Sequence, residues 1–163
     1  MARSVAGDEV GKNHADMVPL IVLLLAFVIL RCAGILGIAP LNNVDLPLRI
    51  ALCVMFLVTA SAHWGRGRPD LIRMVPPLFL NASTLVSLTG VLEILGATGL
   101  LLNSTARLAA ICLAILLVAL FPANIRAARE HLTILGRPAP GLVVRGGIQV
   151  IFLAALILVA CHS

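Results

Sequence analysis

Three charged residues lie inside long apolar segments, where a charge is costly unless it serves structure or chemistry. Glu93 lies in the middle of one segment, Arg49 near the beginning of another, and Arg31 within a third. Small residues three or four positions from Glu93 allow another helix to approach that face closely. We therefore predict a buried ion pair between Glu93 and Arg49, with Arg31 at a comparable depth as the candidate third member. Two roles stay open for this pair: a structural lock between helices, or a site for a proton or a ligand.

A histidine lies on the same helical stripe as Arg49. Alternating steps of four and three residues connect Arg49, Cys53, Phe56, Ala60 and His63. Fourteen residues at about 1.5 Å each place His63 roughly 21 Å from Arg49, towards the other side of the membrane. An imidazole there can relay protons or donate a hydrogen bond to a quinone carbonyl. The alternative is a histidine that only marks the membrane interface.

A second set of polar residues is predicted at the depth of His63. Pro122 lies inside an apolar segment, where it removes one helical hydrogen bond and frees the carbonyl of Val118. Asn124 follows two residues later, and Gln149 lies near the beginning of the last apolar segment. Polar groups that converge in apolar surroundings are typical of a binding site. We predict that His63, Asn124, Gln149 and Pro122 line a polar pocket.

The composition of the chain decides which elements position these residues. Of its 163 residues, 61% are hydrophobic and 12% are charged, whereas a soluble domain is about half apolar and about a quarter charged. A chain of this size cannot bury so much apolar sequence, so it must face lipid. The sequence predicts an all-α fold, a transmembrane helical bundle in contact with the lipid bilayer.

The apolar segments predict five transmembrane helices. The predicted ranges are 17–39, 46–64, 78–102, 106–127 and 142–161. Residues 1–16 are predicted to form a disordered tail, and residues 69–77 a short helix on the membrane surface that ends at a proline pair. Ser104 or Thr105 is the predicted N-cap of the fourth helix. A cleaved signal peptide is the alternative for the first helix.

Lysine and arginine residues are distributed unequally between the two sides. One side holds nine of them: Arg3, Lys12, Arg66, Arg68, Arg73, Arg126, Arg129, Arg137 and Arg145. The other side holds only Arg49 and Arg107. This asymmetry predicts a multi-pass membrane protein with a cytoplasmic N-terminus and an external C-terminus, which in a bacterium means the inner membrane. The net charge of +5 comes from these loops and not from a patch with interleaved aromatic residues, so no nucleic-acid partner is predicted.

The four cysteines, Cys32, Cys53, Cys112 and Cys161, lie in apolar segments and form no C-x-x-C motif. This spacing argues against a zinc site and a thioredoxin-like motif, and we predict no metal site. Cysteine is a common apolar filler in membrane helices, and a disulfide or thiol chemistry on an oxidising side is the alternative.

The region from about residue 46 to residue 161 resembles the DoxX / DoxX-like family of small membrane proteins. The similar features are Arg49 at the opening of a helix, Ala62-His63-Trp64 at its end, Met74-Val75-Pro76-Pro77, the segment Thr89 to Ala97, Arg107 to Ala110, and Phe121-Pro122-Ala123-Asn124-Ile125. The resemblance covers about 70% of the chain and implies a four-helix bundle, which makes the first helix an additional element. It implies Arg49, His63 and Glu93 as polar positions of the family type. It also implies a link to quinol oxidases, thiosulfate:quinone oxidoreductases or other membrane redox complexes.

Three functions are consistent with these features. The first is an auxiliary subunit of a quinone-linked membrane redox complex, with other redox subunits as partners. The second is a structural or assembly scaffold without a ligand, and the third is a small proton-coupled transporter in which Glu93 carries the proton. Small residues on lipid-facing surfaces allow a homo-oligomer. No catalytic residue is assigned, and the sequence does not determine whether the protein is an enzyme.

Overall fold

The computed structural model describes residues 14–130, 132–134, 137–138 and 140–162. Within these residues the helices are α1 (His14–Ile35), α2 (Asp45–Ser61), α3 (Arg68–Met74), α4 (Ala82–Leu101), α5 (Ala106–Arg129) and α6 (Leu142–His162), and a 3-10 turn spans Ala39–Leu41. Two short strands, β1 (Thr133–Ile134) and β2 (Arg137–Pro138), pair antiparallel with Thr133 opposite Pro138. The predicted disordered tail lies outside the described residues up to residue 13, and its last three residues begin α1.

Four helices in the described part of the chain are long and apolar enough to cross a membrane. They are α1 from Met17, α4, α5 and α6. Helix α2 has 17 residues and is therefore about 25 Å long, a little shorter than the roughly 30 Å of hydrocarbon in a bilayer. The predicted all-α transmembrane bundle is confirmed. Of the five long helices in the described residues, α2 is the shortest.

Helix α2 is the central element of the bundle. It packs against α1 on one side and against α4 and α6 on the other, while α4 packs against α5 and α5 against α6. Helices α2, α4, α5 and α6 thus form a four-helix ring, and α1 is an additional helix on the outside of α2. The largest fully buried side chains come from this ring and include Leu52, Met55, Phe56, Leu100, Leu113, Leu156 and Val159.

The predicted stripe on α2 is the face that turns inward. All five of its members are buried: Arg49, Cys53, Phe56, Ala60 and His63. On α4, Glu93 and the small residues around it are buried in the same way. The exposed apolar side chains instead include Leu25, Val28 and Ile29 of α1, which places the outer face of α1 in contact with lipid.

Local sequence explains where the helices end. Helix α1 ends at Ile35 and not at residue 39, because Gly37 adopts a positive φ of 117°. The amide of Ile38 then donates to the carbonyl of Ala33, which is the Schellman pattern that closes a helix at a glycine. Helix α2 ends three residues before the predicted residue 64, because the amides of the next turn bond to carbonyls three residues back.

The beginnings of α4 and α5 also differ in detail from the prediction. Helix α4 begins at Ala82 and not at residue 78, because the chain first forms a turn in which the amide of Phe79 donates to the carbonyl of Pro76. Thr105 occupies the N-cap position of α5, as predicted, but its hydroxyl makes no capping hydrogen bond. It donates instead to the carbonyl of Gly99 at 2.8 Å, so this side chain joins α4 to α5.

Arginine side chains tie the loops together at one end of the bundle. Arg126 donates to the carbonyl of Val75, and Arg73 donates to the carbonyl of Thr133 at 3.2 Å. The loop with α3 and the loop with the two strands therefore lie at the same end, as the charge asymmetry requires. We call this the arginine-rich end; it includes Arg66, Arg68, Arg73, Arg126, Arg129 and Arg145. The end that contains Leu41, Arg49 and Asn103 is called the opposite end.

Candidate functional site

Five polar or charged side chains are buried among the described residues. They are Arg49, His63, Thr89, Glu93 and Gln149. All but Thr89 were candidate site residues from the sequence. The structure separates the polar residues into three groups: one around Arg49 at the opposite end, one around Glu93 between α2 and α4, and one around Gln149 between α5 and α6.

The predicted ion pair between Arg49 and Glu93 is wrong. The Nε of Arg49 donates to the carbonyl of Leu100 at 2.7 Å, and its Nη1 donates to Asn103 Oδ1 at 2.9 Å and to Asp45 Oδ2 at 3.2 Å. Arg49 therefore binds the C-terminal end of α4, where backbone carbonyls lack partners within the helix. Its carboxylate partner lies one turn before it on its own helix.

Distance along α2 explains why this pair does not form. Glu93 lies beside Thr59, which is ten residues from Arg49 and so about 15 Å away along the helix axis. Arg31 is not a third member either, because its Nη1 donates to the carbonyl of Leu41 at 2.8 Å. Both arginines satisfy backbone carbonyls at the opposite end.

Glu93 has its own group of partners. The Thr59 hydroxyl lies 2.8 Å from Glu93 Oε2, and His63 Nε2 lies 3.9 Å from Glu93 Oε1. The other imidazole nitrogen, Nδ1, lies 3.3 Å from the carbonyl of Thr59. We call Thr59, His63 and Glu93 the proton cluster, because it combines a carboxyl group, an imidazole and a hydroxyl in one buried interface.

A glycine on α4 makes room for this imidazole. A Cβ atom on Gly90 would lie 2.7 Å from the Cβ of His63 and 2.8 Å from Cη2 of Trp64. Only a residue without a side chain fits here, since carbon atoms in contact lie about 3.5–4.0 Å apart. Gly90 thus positions His63 against α4, one turn from Glu93.

His63 lies in the turn after α2, outside the membrane-spanning segments. Burial lowers the pKa of its imidazole below the usual value, and the Arg68 guanidinium lowers the pKa further, while hydrogen bonds that the imidazole makes to the backbone of Thr59 and Ala60 oppose these effects. The imidazole is therefore neutral near pH 7. The contact to Glu93 is then not an ion pair, and at 3.9 Å it is longer than a direct hydrogen bond.

The third group brings together most of the predicted polar pocket. Asn124 Nδ2 donates to Gln149 Oε1 at 3.2 Å, and Gln149 Nε2 donates to the carbonyl of Leu117 at 2.9 Å. Arg145 Nη2 donates to Asn124 Oδ1 at 3.2 Å. We call Asn124, Arg145 and Gln149 the amide cluster. Pro122 lies two residues before Asn124, inside α5.

Two details of the pocket differ from the prediction. The carbonyl that accepts from Gln149 is that of Leu117, one residue before the Val118 carbonyl that Pro122 was expected to leave free. His63 makes its contacts with Thr59 and Glu93, so it belongs to the proton cluster and not to the amide cluster. The sequence predicted the depth of these side chains from their positions along the helices. Which helix each side chain faces depends instead on how the helices pack.

An apolar groove lies next to the amide cluster on the surface between α5 and α6. Its volume is about 500 Å³, and its lining residues are Ala114, Ile115, Val118, Ala119, Leu153 and Ile157. Gln149 lies one helical turn before Leu153 and bonds to the residue before Val118. The groove therefore approaches the amide cluster at the end of the bundle that is rich in arginine.

A smaller cavity of about 240 Å³ lies at the opposite end. It is lined by Val44, Asp45, Leu48, Leu158, Val159 and His162. Among the described residues, no three His, Cys, Asp or Glu side chains are arranged to hold a metal ion. The four cysteines are free thiols, and Cys53 alone of them is buried.

Four side-chain partners in these groups were not predicted as site residues: Asp45, Thr59, Asn103 and Arg145. Asp45, Thr59 and Arg145 each lie four residues before a predicted one, namely Arg49, His63 and Gln149 respectively. Residues four apart share one face of a helix, so this spacing was the signal that could have identified them. Asn103 was not identifiable in this way, because its contact with Arg49 depends on how α2 packs against α4.

Comparison with known proteins gives a family for most of the bundle. No curated protein and no solved structure matches the chain. A family model described as Domain of unknown function (DUF8561) matches residues 52–161, which begin within α2 and continue through α6. The match contains the proton cluster, the amide cluster and the apolar groove, and α1 precedes it. Because the match covers more than half of the residues, the chain belongs to the DUF8561 family.

Proposed function

We propose that this protein is an integral membrane subunit that binds a lipid-soluble quinone between α5 and α6 and serves a membrane redox complex. The observation that carries the proposal is the amide cluster beside the apolar groove. A quinone has a ring with two carbonyl acceptors and an apolar tail. Its tail fits a groove without polar lining, and its carbonyl groups need N–H donors at the end of that groove.

The amide cluster retains donors for such a ring. A primary amide has two N–H groups and one carbonyl. One N–H of Asn124 is used on Gln149, and one N–H of Gln149 is used on the carbonyl of Leu117. In the described part of the chain the second N–H of each amide is not used in a hydrogen bond, so each can donate to a quinone carbonyl. The hydrogen bond between the two side chains fixes their orientation before a ligand binds.

The redox assignment rests on the resemblance of residues 46–161 to DoxX-like proteins. In that setting the chain is an auxiliary subunit, and the electrons that reduce the quinone come from a partner subunit. The same resemblance supports a bacterial inner membrane as the location. The charge asymmetry supports an arginine-rich end on the cytoplasmic side. This orientation is tested by measuring whether protease reaches an N-terminal tag in inverted vesicles.

Binding of a benzoquinone with a short alkyl tail to the purified full-length protein tests the proposal. Gln149→Leu removes the donor with little change in size, and Ala119→Phe fills the groove. Each hydrogen bond to the ligand in apolar surroundings contributes about 1–3 kcal/mol, so the affinity falls by about 5- to 150-fold in Gln149→Leu. Thr98→Val, on the lipid-exposed surface of α4, is the control and binds like the wild type. Unchanged binding in both groove variants contradicts the proposal.

The second candidate function is a structural scaffold without a ligand. It is favoured by the arginines, which bind backbone carbonyls: Arg31, Arg49, Arg68, Arg73 and Arg126 each donate to at least one. Such contacts join loops and helix ends and need no ligand. On this reading the quinone does not bind, and cells that carry Gln149→Leu retain the full function of the protein.

A further inference from the structure

We propose that the proton cluster of Thr59, His63 and Glu93 is a proton-binding site with two hydrogen-bonding states. This goes beyond the quinone site, because the cluster lies between α2 and α4, whereas the amide cluster and the groove lie between α5 and α6. The ligand is a single proton shared by the carboxyl group and the imidazole. The Thr59 hydroxyl changes its acceptor when that proton binds.

The hydroxyl of Thr59 provides the first part of the argument. It lies 2.8 Å from Glu93 Oε2 and 2.9 Å from the carbonyl of Phe56. A hydroxyl has only one hydrogen, so it donates to one of these oxygens at a time. When Glu93 is ionised, the hydroxyl donates to the carboxylate. When Glu93 is protonated, its O–H can donate to the Thr59 oxygen, and the hydroxyl then donates to the Phe56 carbonyl.

The imidazole provides the second part. His63 Nδ1 lies 3.3 Å from the Thr59 carbonyl, which can only accept, so Nδ1 carries a hydrogen. In a neutral imidazole the other nitrogen, Nε2, then has a free lone pair. This lone pair lies 3.9 Å from Glu93 Oε1. A proton on Glu93 Oε1 and a proton on His63 Nε2 would therefore occupy the same gap of 3.9 Å.

The charged groups on the elements packed around this gap have partners elsewhere or lie at helix ends. On α3, which packs against α4, Arg73 pairs with Asp70 at 2.6 Å. Arg68 donates to the His63 carbonyl and to Ser83. Helix α5 has no charged residue between Arg107 and Arg126, and α1 has only Arg31 between residues 17 and 35, at the opposite end. On α6, Arg145 donates to Asn124 and His162 lies at the opposite end. In the described part of the chain, His63 is thus the titratable group that lies against Glu93.

Burial limits proton exchange to one direction. From Glu93 towards the opposite end the interface is filled by apolar side chains that are fully buried, among them Leu52, Phe56, Ala97 and Leu100. Towards the arginine-rich end lie the buried hydroxyl of Thr89 and the imidazole of His63, and of these two groups the imidazole is the one that titrates. The proton therefore reaches Glu93 by way of His63.

Infrared difference spectroscopy of the full-length protein between about pH 4 and about pH 10 tests this site. A protonated carboxyl group gives a carbonyl band that an ionised one lacks. We expect a titrating band that is lost in Glu93→Gln and kept in Glu130→Gln, since Glu130 is an exposed carboxylate bound to Arg126. We also expect Thr59→Val to shift the frequency of the band and His63→Gln to shift its midpoint and slow its response to a pH jump.

The results that overturn the proposal are equally specific. They are a band that survives Glu93→Gln, the absence of any titrating carboxyl band, or His63→Gln and Thr59→Val proteins that both titrate like the wild type. The last comparison keeps the test decisive if Glu93→Gln fails to fold. Quinone binding is measured on the same samples. We expect Gln149→Leu to lose quinone binding while its carboxyl band stays unchanged. Failure of the quinone proposal and failure of the proton-site proposal are therefore distinguishable.

Discussion

Replacing Arg49 with methionine removes a guanidinium group that joins α2 to the end of α4 and to the turn after it, while keeping a side chain of similar length. The structure gives the cost of this change contact by contact. The carbonyl of Leu100 is buried and loses its donor, which costs about 1–3 kcal/mol. The Asp45 side chain is 29% exposed and remains solvated, so its loss of a partner costs at most about 1 kcal/mol. Asn103 is exposed and contributes about 0.5 kcal/mol.

Together these contacts predict a loss of about 3 kcal/mol. For a chain of this size each kcal/mol corresponds to about 2–4 °C in the melting temperature. Arg49→Met should therefore melt about 6–12 °C below the wild type in detergent. Arg49→Lys keeps the charge but has a single ammonium group in place of the planar fork, so it should melt at an intermediate temperature.

Arg107→Met is the matched control. Arg107 lies near the same end of the bundle, is exposed and makes no hydrogen bond within the described residues. Its replacement should change the melting temperature by less than about 2 °C, since surface substitutions usually cost less than about 0.5 kcal/mol. Arg49→Met and Arg107→Met proteins with equal melting temperatures would refute the assignment of Arg49 as a structural link between α2 and α4.

Three further outcomes follow from the same contacts. A double-mutant cycle of Arg49→Gln and Glu93→Gln should be additive within about 0.5 kcal/mol, because the two side chains do not touch; a larger coupling energy would restore the rejected ion pair. Gly90→Ala should cost about 1–3 kcal/mol through overlap with His63, while Gly147→Ala, whose Cβ meets no atom within 4 Å, should not lower the melting temperature. Because the pKa of His63 is lowered in the folded state, the unfolded state binds more protons, so stability should fall as the pH drops through about 6.5; this fall should be smaller in His63→Gln, and an equal fall in both proteins would contradict the lowered pKa.

The sequence was sufficient to identify the helices and their inward faces, because both depend on local patterns. Apolar length indicates a membrane helix, and steps of three and four residues define a face. The residues of the stripe from Arg49 to His63, predicted to share one face of a helix, are all buried. Helix ends were less certain, since they depend on turn geometry such as the positive φ of Gly37.

Pairing between helices could not be predicted in the same way. Glu93 and Arg49 have opposite charges and both face inward, and from depth alone they form a plausible pair. The structure shows that each has a nearer partner: Thr59 for Glu93 and the end of α4 for Arg49. Which residue lies opposite another depends on the axial offset between two helices, and the side chains along the whole interface decide that offset.

The packing order of the helices explains why the residues of the predicted pocket are divided between the proton cluster and the amide cluster. His63, Asn124 and Gln149 were predicted at one depth, and a single pocket was the simplest arrangement. Helix α4 packs against α2, so Glu93 becomes the neighbour of His63. Helices α5 and α6 pack together, and this brings Asn124 next to Gln149. Among the described residues, the polar interface between α2 and α4 is buried, whereas the one between α5 and α6 adjoins an apolar groove. Because the proposed proton site lies in the first interface and the proposed quinone site in the second, we expect proton binding and quinone binding to respond to different substitutions.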